Sequence, residues 1–267
     1  MCKECGCSES ESFSIHPSKS GHARVPHTAA AGDGWHAHTA DDGSHSWHRH
    51  GNQGHVQPIL DANQRQAESN RTLFRERGIV ALNIVSSPGS GKTTLLRRTL
   101  ERLHPRIGCA VIVGDLETQA DAEALRPTGA PVVQITTGTV CHLDALMVAA
   151  ALETLPATGI RLLFIENVGN LVCPASFDLG EDHRIVLLAS TEGENKPLKY
   201  PPIFHGAEAV VLSKTDLAEP AGFDRVRARA AVAQVAPGAA IFELSSRTGE
   251  GLDAWIAHLE ALLPVGR

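Results

Sequence analysis

The sequence predicts a doubly wound α/β domain on a mostly parallel sheet, preceded by a disordered N-terminal arm. Three observations carry this. From about residue 60 onward, short apolar runs alternate with amphipathic stretches, the rhythm of β/α units. The apolar run Ile79–Val85 leads into a glycine-rich loop and then into the helix-like TLLRRTL. Residues 1–58, in contrast, lack hydrophobic periodicity and are rich in Gly, Ser, His and Ala, so they bury too little apolar area to offset chain entropy.

In chain order, an amphipathic helix over 59–76 opens the domain, which spans 59–267. The first strand, Ile79–Val85, is followed by a helix over 92–103. The second, Cys109–Val113, runs into Gly114-Asp115 and a helix over 119–126. The third, Val132–Ile135, ends at the turn TTGT before a helix over 140–153. The fourth, Leu162–Ile165, stops at an acid, and the fifth is Ile185–Ala189. The sixth, Val210–Leu212, runs into SKTD and is followed by a helix over 222–234. The seventh, Ala240–Leu244, precedes Ser245-Ser246-Arg247 and a helix over 251–262. In such sheets ligands bind beyond the carboxyl ends of the strands, which gathers the loops after strands one, two, four, six and seven.

Composition narrows the partners. The chain has 267 residues and a formal charge of −6, with a pI near 6.1 and no block of basic residues, which argues against nucleic acid or an anionic membrane surface. No run of about 18 apolar residues is present, and the polar, cysteine-bearing start is unlike a signal or transit peptide. A cytoplasmic protein is expected. Three of the six cysteines fall within residues 2–7, too close for a disulfide framework, and a reducing compartment would keep them as thiols.

The octapeptide SSPGSGKT, Ser86 to Thr93, has the strand, loop and helix context of a P-loop NTPase. Pro88, Gly89, Ser90, Gly91, Lys92, Thr93 and Thr94 are the candidate phosphate-binding residues. Lys92 would bridge the β- and γ-phosphates, and the Thr93 hydroxyl would bind Mg²⁺. Ser86 stands where the motif has its first glycine. Two acids at strand ends, Asp115 and Glu166, are candidate Mg²⁺-shell and catalytic groups, although such acids also serve as helix caps. Gly169, three residues after Glu166, matches the glycine of a DxxG loop that senses a γ-phosphate. The SKTD segment selects the base. Asp216 can accept both guanine N1 and N2 protons while the Lys214 stem packs on the purine, which favours GTP over ATP. Ser213 replaces the asparagine of NKxD, and Ser245, Ser246 and Arg247 resemble the SAK loop that closes over guanine.

Two groups of residues offer soft metal ligands. Cys2, Cys5 and Cys7 form CxxCxC, a set of thiolates that, with an amine or amide nitrogen, suits Ni²⁺. Cys141-His142 and Cys173 flank the segments just described and form a second set if they converge; singly, each cysteine is more often a small core residue. Cys109, inside an apolar strand, reads as core. Nine of the fourteen histidines are scattered through the arm as further weak ligands.

Taken together, CKECGC, SSPGSGKT, GDLETQADA, TTGTVCHLD, ENVGNLVCP, LSKTDL and SSRTGEGL resemble the HypB family, GTPases that help insert nickel into nickel-iron hydrogenase. The resemblance implies nickel at Cys2, Cys5 and Cys7, and Zn²⁺ or Ni²⁺ at Cys141, His142 and Cys173. It also implies a homodimer with GTP and two partners: a zinc-binding nickel chaperone and the hydrogenase large-subunit precursor. No obvious catalytic glutamine is visible, so slow intrinsic hydrolysis of GTP to GDP is expected. Two other readings stay open: a nickel or zinc storage protein with a regulatory GTPase domain, and a urease-type accessory GTPase. The latter uses a Cys-Pro-His motif, whereas here Cys173-Pro174 is followed by Ala175.

Overall fold

A computed structural model describes residues 12–16, 35–39, 45–49 and 56–264. Its single sheet holds ten strands: β1 (Ser12–His16), β2 (Trp35–Thr39), β3 (His45–Arg49), β4 (Val80–Ser86), β5 (Cys109–Asp115), β6 (Val132–Thr136), β7 (Leu162–Glu166), β8 (His183–Ala189), β9 (Ala209–Ser213) and β10 (Ala240–Glu243). The helices are α1 (Val56–Arg77), α2 (Lys92–Leu103), α3 (Ala120–Leu125), α4 (Ala145–Leu152), α5 (Lys196–Lys199), α6 (Pro201–Phe204), α7 (Arg225–Val235) and α8 (Leu252–Ala261).

Strand order is β10-β9-β8-β4-β7-β5-β6-β1-β3-β2. The seven strands from β4 to β10 are parallel throughout, and β1, β3 and β2 extend the β6 edge in antiparallel fashion. The chain leaves β4 for β5 and β6, returns to insert β7 between β4 and β5, then crosses to β8 on the other side. β4 is therefore the switch point, where the loops after β4 and β7 open a crevice.

Period-two patterning fills both faces of the sheet. Leu82 and Ile84 of β4, with Val111 and Val113 of β5, pack under α2, α3 and α8, where Leu95, Leu100, Leu125 and Trp255 are buried. The alternate residues Ala81, Ala110 and Ile112 meet Phe74 of α1 and Met147 and Val148 of α4. A third cluster packs Val186, Leu188 and Val210 on α6 and α7 through Ile203, Phe204 and Val232. The seven strands expected from sequence are all present, within two residues at each end.

Three differences from the expectations matter. β1, β2 and β3 lie inside the arm, where no regular element was expected. β1 joins because Ile15, opposite Ile135, is buried in the α1/α4 layer. The arm boundary at residue 58 falls within α1, whose first turn starts at Val56. The helix expected over 140–153 starts only at Ala145, because Asp144 caps it, accepting from the Met147 N–H at 2.8 Å. Cys141 and His142 thus lie on the preceding loop, not in a first helical turn. Cys2, Cys5, Cys7 and many of the arm histidines lie outside the described residues.

Candidate nucleotide and metal site

The loop between β4 and α2 turns on Gly89 and Gly91, whose φ values of 71° and 96° are open to glycine without strain. The departure at Ser86 has a use. Its buried hydroxyl donates to the Ser87 carbonyl at 2.7 Å and accepts from Lys92 Nζ at 3.0 Å and from Ser90 Oγ. Lys92 is 8% exposed, and burial lowers its pKa against the opposing pull of Glu166 and Asp121. A desolvated ammonium beside loop amides is poised for an anion of high charge, as a polyphosphate is.

Beside it, Thr93 Oγ1 lies 2.8 Å from Glu166 Oε1 and 2.8 Å from Asp121 Oδ1. One hydroxyl proton cannot serve both contacts. Burial pushes the Glu166 carboxyl up to about 7, with Lys92 pulling the other way and Asp121 adding to the rise, and Glu166 Oε2 is buried without a partner. Hard oxygens crowded together with an orphaned carboxylate oxygen fit a divalent cation such as Mg²⁺. Asp121 was not singled out from sequence. It stands six residues after Asp115 at the start of α3, and only that acid in the ETQADA segment hinted at it. Asp115 caps its own turn: Oδ1 accepts from the Glu117 and Thr118 N–H groups at 3.0 and 2.7 Å and from Thr118 Oγ1.

Gly169 lies against the phosphate loop so closely that a Cβ there would sit 2.9 Å from Pro88 Cα. A cleft of about 490 Å³ opens between the two segments, lined by Ser87, Pro88, Gly169, Asn170, Lys196 and Tyr200 among others. Lys196, another residue missed from sequence, donates to Glu192 Oε2 at 2.8 Å and to Ser87 Oγ.

Of the two segments expected to read the base, the one at 213–216 meets the same loop, and the one at 245–247 meets Asp216. Lys214 has φ 57°, in the left-handed region, and its Nζ donates to the Gly89 carbonyl at 2.6 Å. Ser213 Oγ donates to the Ser90 carbonyl at 2.8 Å, so the residue replacing asparagine braces the phosphate loop. The Asp216 carboxylate accepts from Ser245 Oγ and from Arg247 Nε at 2.9 Å, and these bonds, the Ser245 one foremost, hold its pKa below the usual range. Ser246 contributes its carbonyl to Arg98 Nε at 3.0 Å.

Cys141, His142 and Cys173 do converge. Their ligand atoms all lie within 4.8 Å of one another, the only such group of His, Cys, Asp or Glu among the described residues. The two Sγ atoms are 2.8 Å apart. His142 stacks on Phe177 with ring centroids 3.8 Å apart, its Nδ1 is buried without a partner, and burial lowers its pKa to about 4. It is therefore a neutral imidazole near pH 7. Two thiols and a neutral imidazole with an orphaned nitrogen fit a borderline ion such as Zn²⁺ or Ni²⁺. Cys109 is buried, donates to the Ile107 carbonyl, and burial pushes its thiol up to about 12, as a core residue should be.

Comparison with known proteins identifies the family. The family described as CobW/HypB/UreG, nucleotide-binding domain, matches residues 80–243. The chain is 52% identical over 202 residues to the hydrogenase maturation factor HypB of Escherichia coli K12, covering 76% of this chain and 70% of that one. It is 43% identical to the probable HypB of Methanocaldococcus jannaschii, covering 76% and 91%. Among solved structures, HypB of Archaeoglobus fulgidus superposes with a TM-score of 0.72 at 42% identity, over 76% of this chain and all of that one. HypB of Helicobacter pylori in complex with nickel gives 0.72 at 37%, over 77% and 99%. The chain belongs to the CobW/HypB/UreG family of nucleotide-binding proteins, on its HypB branch.

Proposed function

We propose that this chain is a GTP-hydrolysing nickel metallochaperone that delivers nickel for maturation of nickel-iron hydrogenase, with the nucleotide state gating dimerisation and metal transfer. One observation carries the gating reading. The seven residues after Glu166, which touches Thr93, end at Cys173, so a single loop joins the nucleotide site to the thiol and imidazole group. The relatives are hydrogenase maturation factors by name, and one was solved with nickel.

In this reading the loop amides, Lys92 and the α2 N-terminus hold the triphosphate, and Asp216 with Ser245 and Arg247 takes the guanine edge. Thr93, Glu166 and Asp121, with Asp115 nearby, would hold Mg²⁺, which when bound neutralises charge building on the phosphates. Water positioning falls to Asp115 or to a group from a partner, and no glutamine stands in the loop after β7, so intrinsic turnover is slow. Cys2, Cys5 and Cys7 bind Ni²⁺, and Cys141, His142 and Cys173 bind Zn²⁺ or Ni²⁺. The GTP-bound form is a homodimer that works in the cytoplasm with a zinc-binding nickel chaperone and the hydrogenase large-subunit precursor. Among the described residues no helix is long and apolar enough to cross a membrane.

The deciding experiment loads the protein with nickel and follows transfer to a chelator under GDP, GTP, a nonhydrolysable GTP analogue and ATP. Transfer should differ between GDP and GTP and be insensitive to ATP. Equal transfer in all four would sink the gated reading.

A further inference from the structure

The structure assigns to Asn167 and Asn170 the role of positioning residues that couple the Cys141, His142 and Cys173 group to the nucleotide loop, an inference resting on the gated reading above. Asn167 follows Glu166 directly and is buried. Its Oδ1 accepts from the N–H of Leu143, the residue after His142, at 3.1 Å, and from the Val168 N–H at 3.0 Å. Its Nδ2 donates to Asn83 Oδ1 at 3.3 Å. Asn83 Nδ2 in turn donates to Glu181 Oε1 at 3.0 Å, and Glu181 Oε2 accepts from the Leu179 N–H at 2.8 Å. This chain starts beside the Thr93 carboxylate partner and reaches both the loop bearing Cys141 and His142 and the loop beyond Cys173.

Asn170 makes the shorter link. Its Nδ2 donates to the Cys141 carbonyl at 3.3 Å, and its Oδ1 accepts at 2.9 Å from the N–H of Val172, the residue before Cys173. One side chain thus spans the two ligand cysteines. It is also the residue after Gly169, which rests on Pro88 of the phosphate loop. A movement of Gly169 away from Pro88 carries Asn170 with it. About 0.3 Å of lengthening takes the 3.3 Å bond out of hydrogen-bonding range, freeing the Cys141 loop relative to Cys173. From the other side, the Thr137 and Gly138 N–H groups donate to the Asp115 and Leu116 carbonyls at 2.9 and 2.8 Å, so the start of the Cys141 loop is tied to the segment after β5 as well.

The test uses the full chain with Cys2, Cys5 and Cys7 replaced by serine, and Ni²⁺ bound by the second group is taken as the binding that a Cys141→Ser, Cys173→Ser control lacks, which subtracts any Ni²⁺ on the arm histidines. The quantity read is the ratio of Ni²⁺ dissociation constants with GDP and with a nonhydrolysable GTP analogue. The parent ratio should differ from one by about fivefold or more, the lower range of allosteric couplings. Asn170→Ala should bring it to within about twofold of one while leaving the melting temperature and the nucleotide affinity measured without Ni²⁺ near those of the parent, since coupling is reciprocal and only the Ni²⁺-loaded affinities shift. Asn170→Asp, which keeps the acceptor for Val172 and loses the donor to Cys141, should do the same. A parent-like ratio in Asn170→Ala and in Asn167→Ala overturns the inference while gating stands. Equal weakening of Ni²⁺ in both nucleotide states overturns it too, because the residue then only supports the site. A ratio of one in the parent itself takes down the gated reading, and this inference with it.

Discussion

At the scale of single residues, the two candidate ion sites hold buried groups whose titrations oppose each other in the metal-free protein. His142 has a folded pKa of about 4 against an ordinary 6.5. The unfolded chain binds the extra proton, so its contribution is full above pH 6.5 and is lost as pH falls towards 4. Glu166 is raised from 4.5 to about 7. Its contribution is full below pH 4.5 and is lost as pH rises towards 7. Each swing is worth about 3 kcal/mol at most. Chemical denaturation without metal should therefore show Glu166→Gln gaining on the parent between pH 4.5 and 7, and His142→Leu gaining on it between pH 6.5 and 4. A variant-to-parent difference constant with pH would contradict either assignment. Much of this site was legible in the sequence, because GKT, SKTD and the glycine at 169 have fixed spacing to a backbone turn. Asp121 and the asparagines were not, because their partners lie at separations such as Thr93 to Asp121 and Cys141 to Asn170, which no local spacing rule encodes.

At the scale of elements, α8 closes the layer over α2. Trp255 is 1% exposed, and its indole N–H donates at 3.0 Å to Thr99 Oγ1, which donates in turn to the Leu95 carbonyl. Trp255→Ala would empty a large buried volume and leave that hydroxyl short of a partner. A loss of about 3–5 kcal/mol is expected in urea unfolding, and Trp255→Phe, which keeps most of the ring, should recover much of it. Strand positions were readable because central parallel strands are continuous apolar runs. The helix start at Ala145 was not, because CHLDAL carries apolar residues straight through the cap, and the Asp144 side chain decides the boundary. The arm strands were not legible for a related reason: each is five residues long within a polar, histidine-rich stretch, and β1 is held by pairing with β6, about 120 residues away in sequence.

For the whole molecule, the proposed nucleotide site lies at the carboxyl ends of β4 and β7, whereas Cys2, Cys5 and Cys7 stand far earlier in the sequence, ahead of β1. Those modules should separate on mutation. Lys92→Ala removes the buried ammonium proposed above to meet the phosphates, and GTP hydrolysis should fall below detection while Ni²⁺ binding by the proposed Cys2, Cys5 and Cys7 set stays as in the parent, measured by titration against a competing chelator. Loss of both would show that the arm and the domain act as one unit. Helix α1 follows the arm in sequence and braces the segments just beyond His142 and Cys173. Asn63 accepts from the Ala145 N–H and donates to the Asp178 carbonyl, and Asn70 donates to the Ala145 and Leu179 carbonyls. The burial of Cys109 has a practical consequence for chemical labelling. With its thiol held at about 12 and under 2% of its surface open, it is a silent spectator to thiolate-directed alkylation. With Cys2, Cys5 and Cys7 replaced by serine, modification then reads only Cys141 and Cys173, and slower alkylation on adding Ni²⁺ or Zn²⁺ would show that an ion holds them.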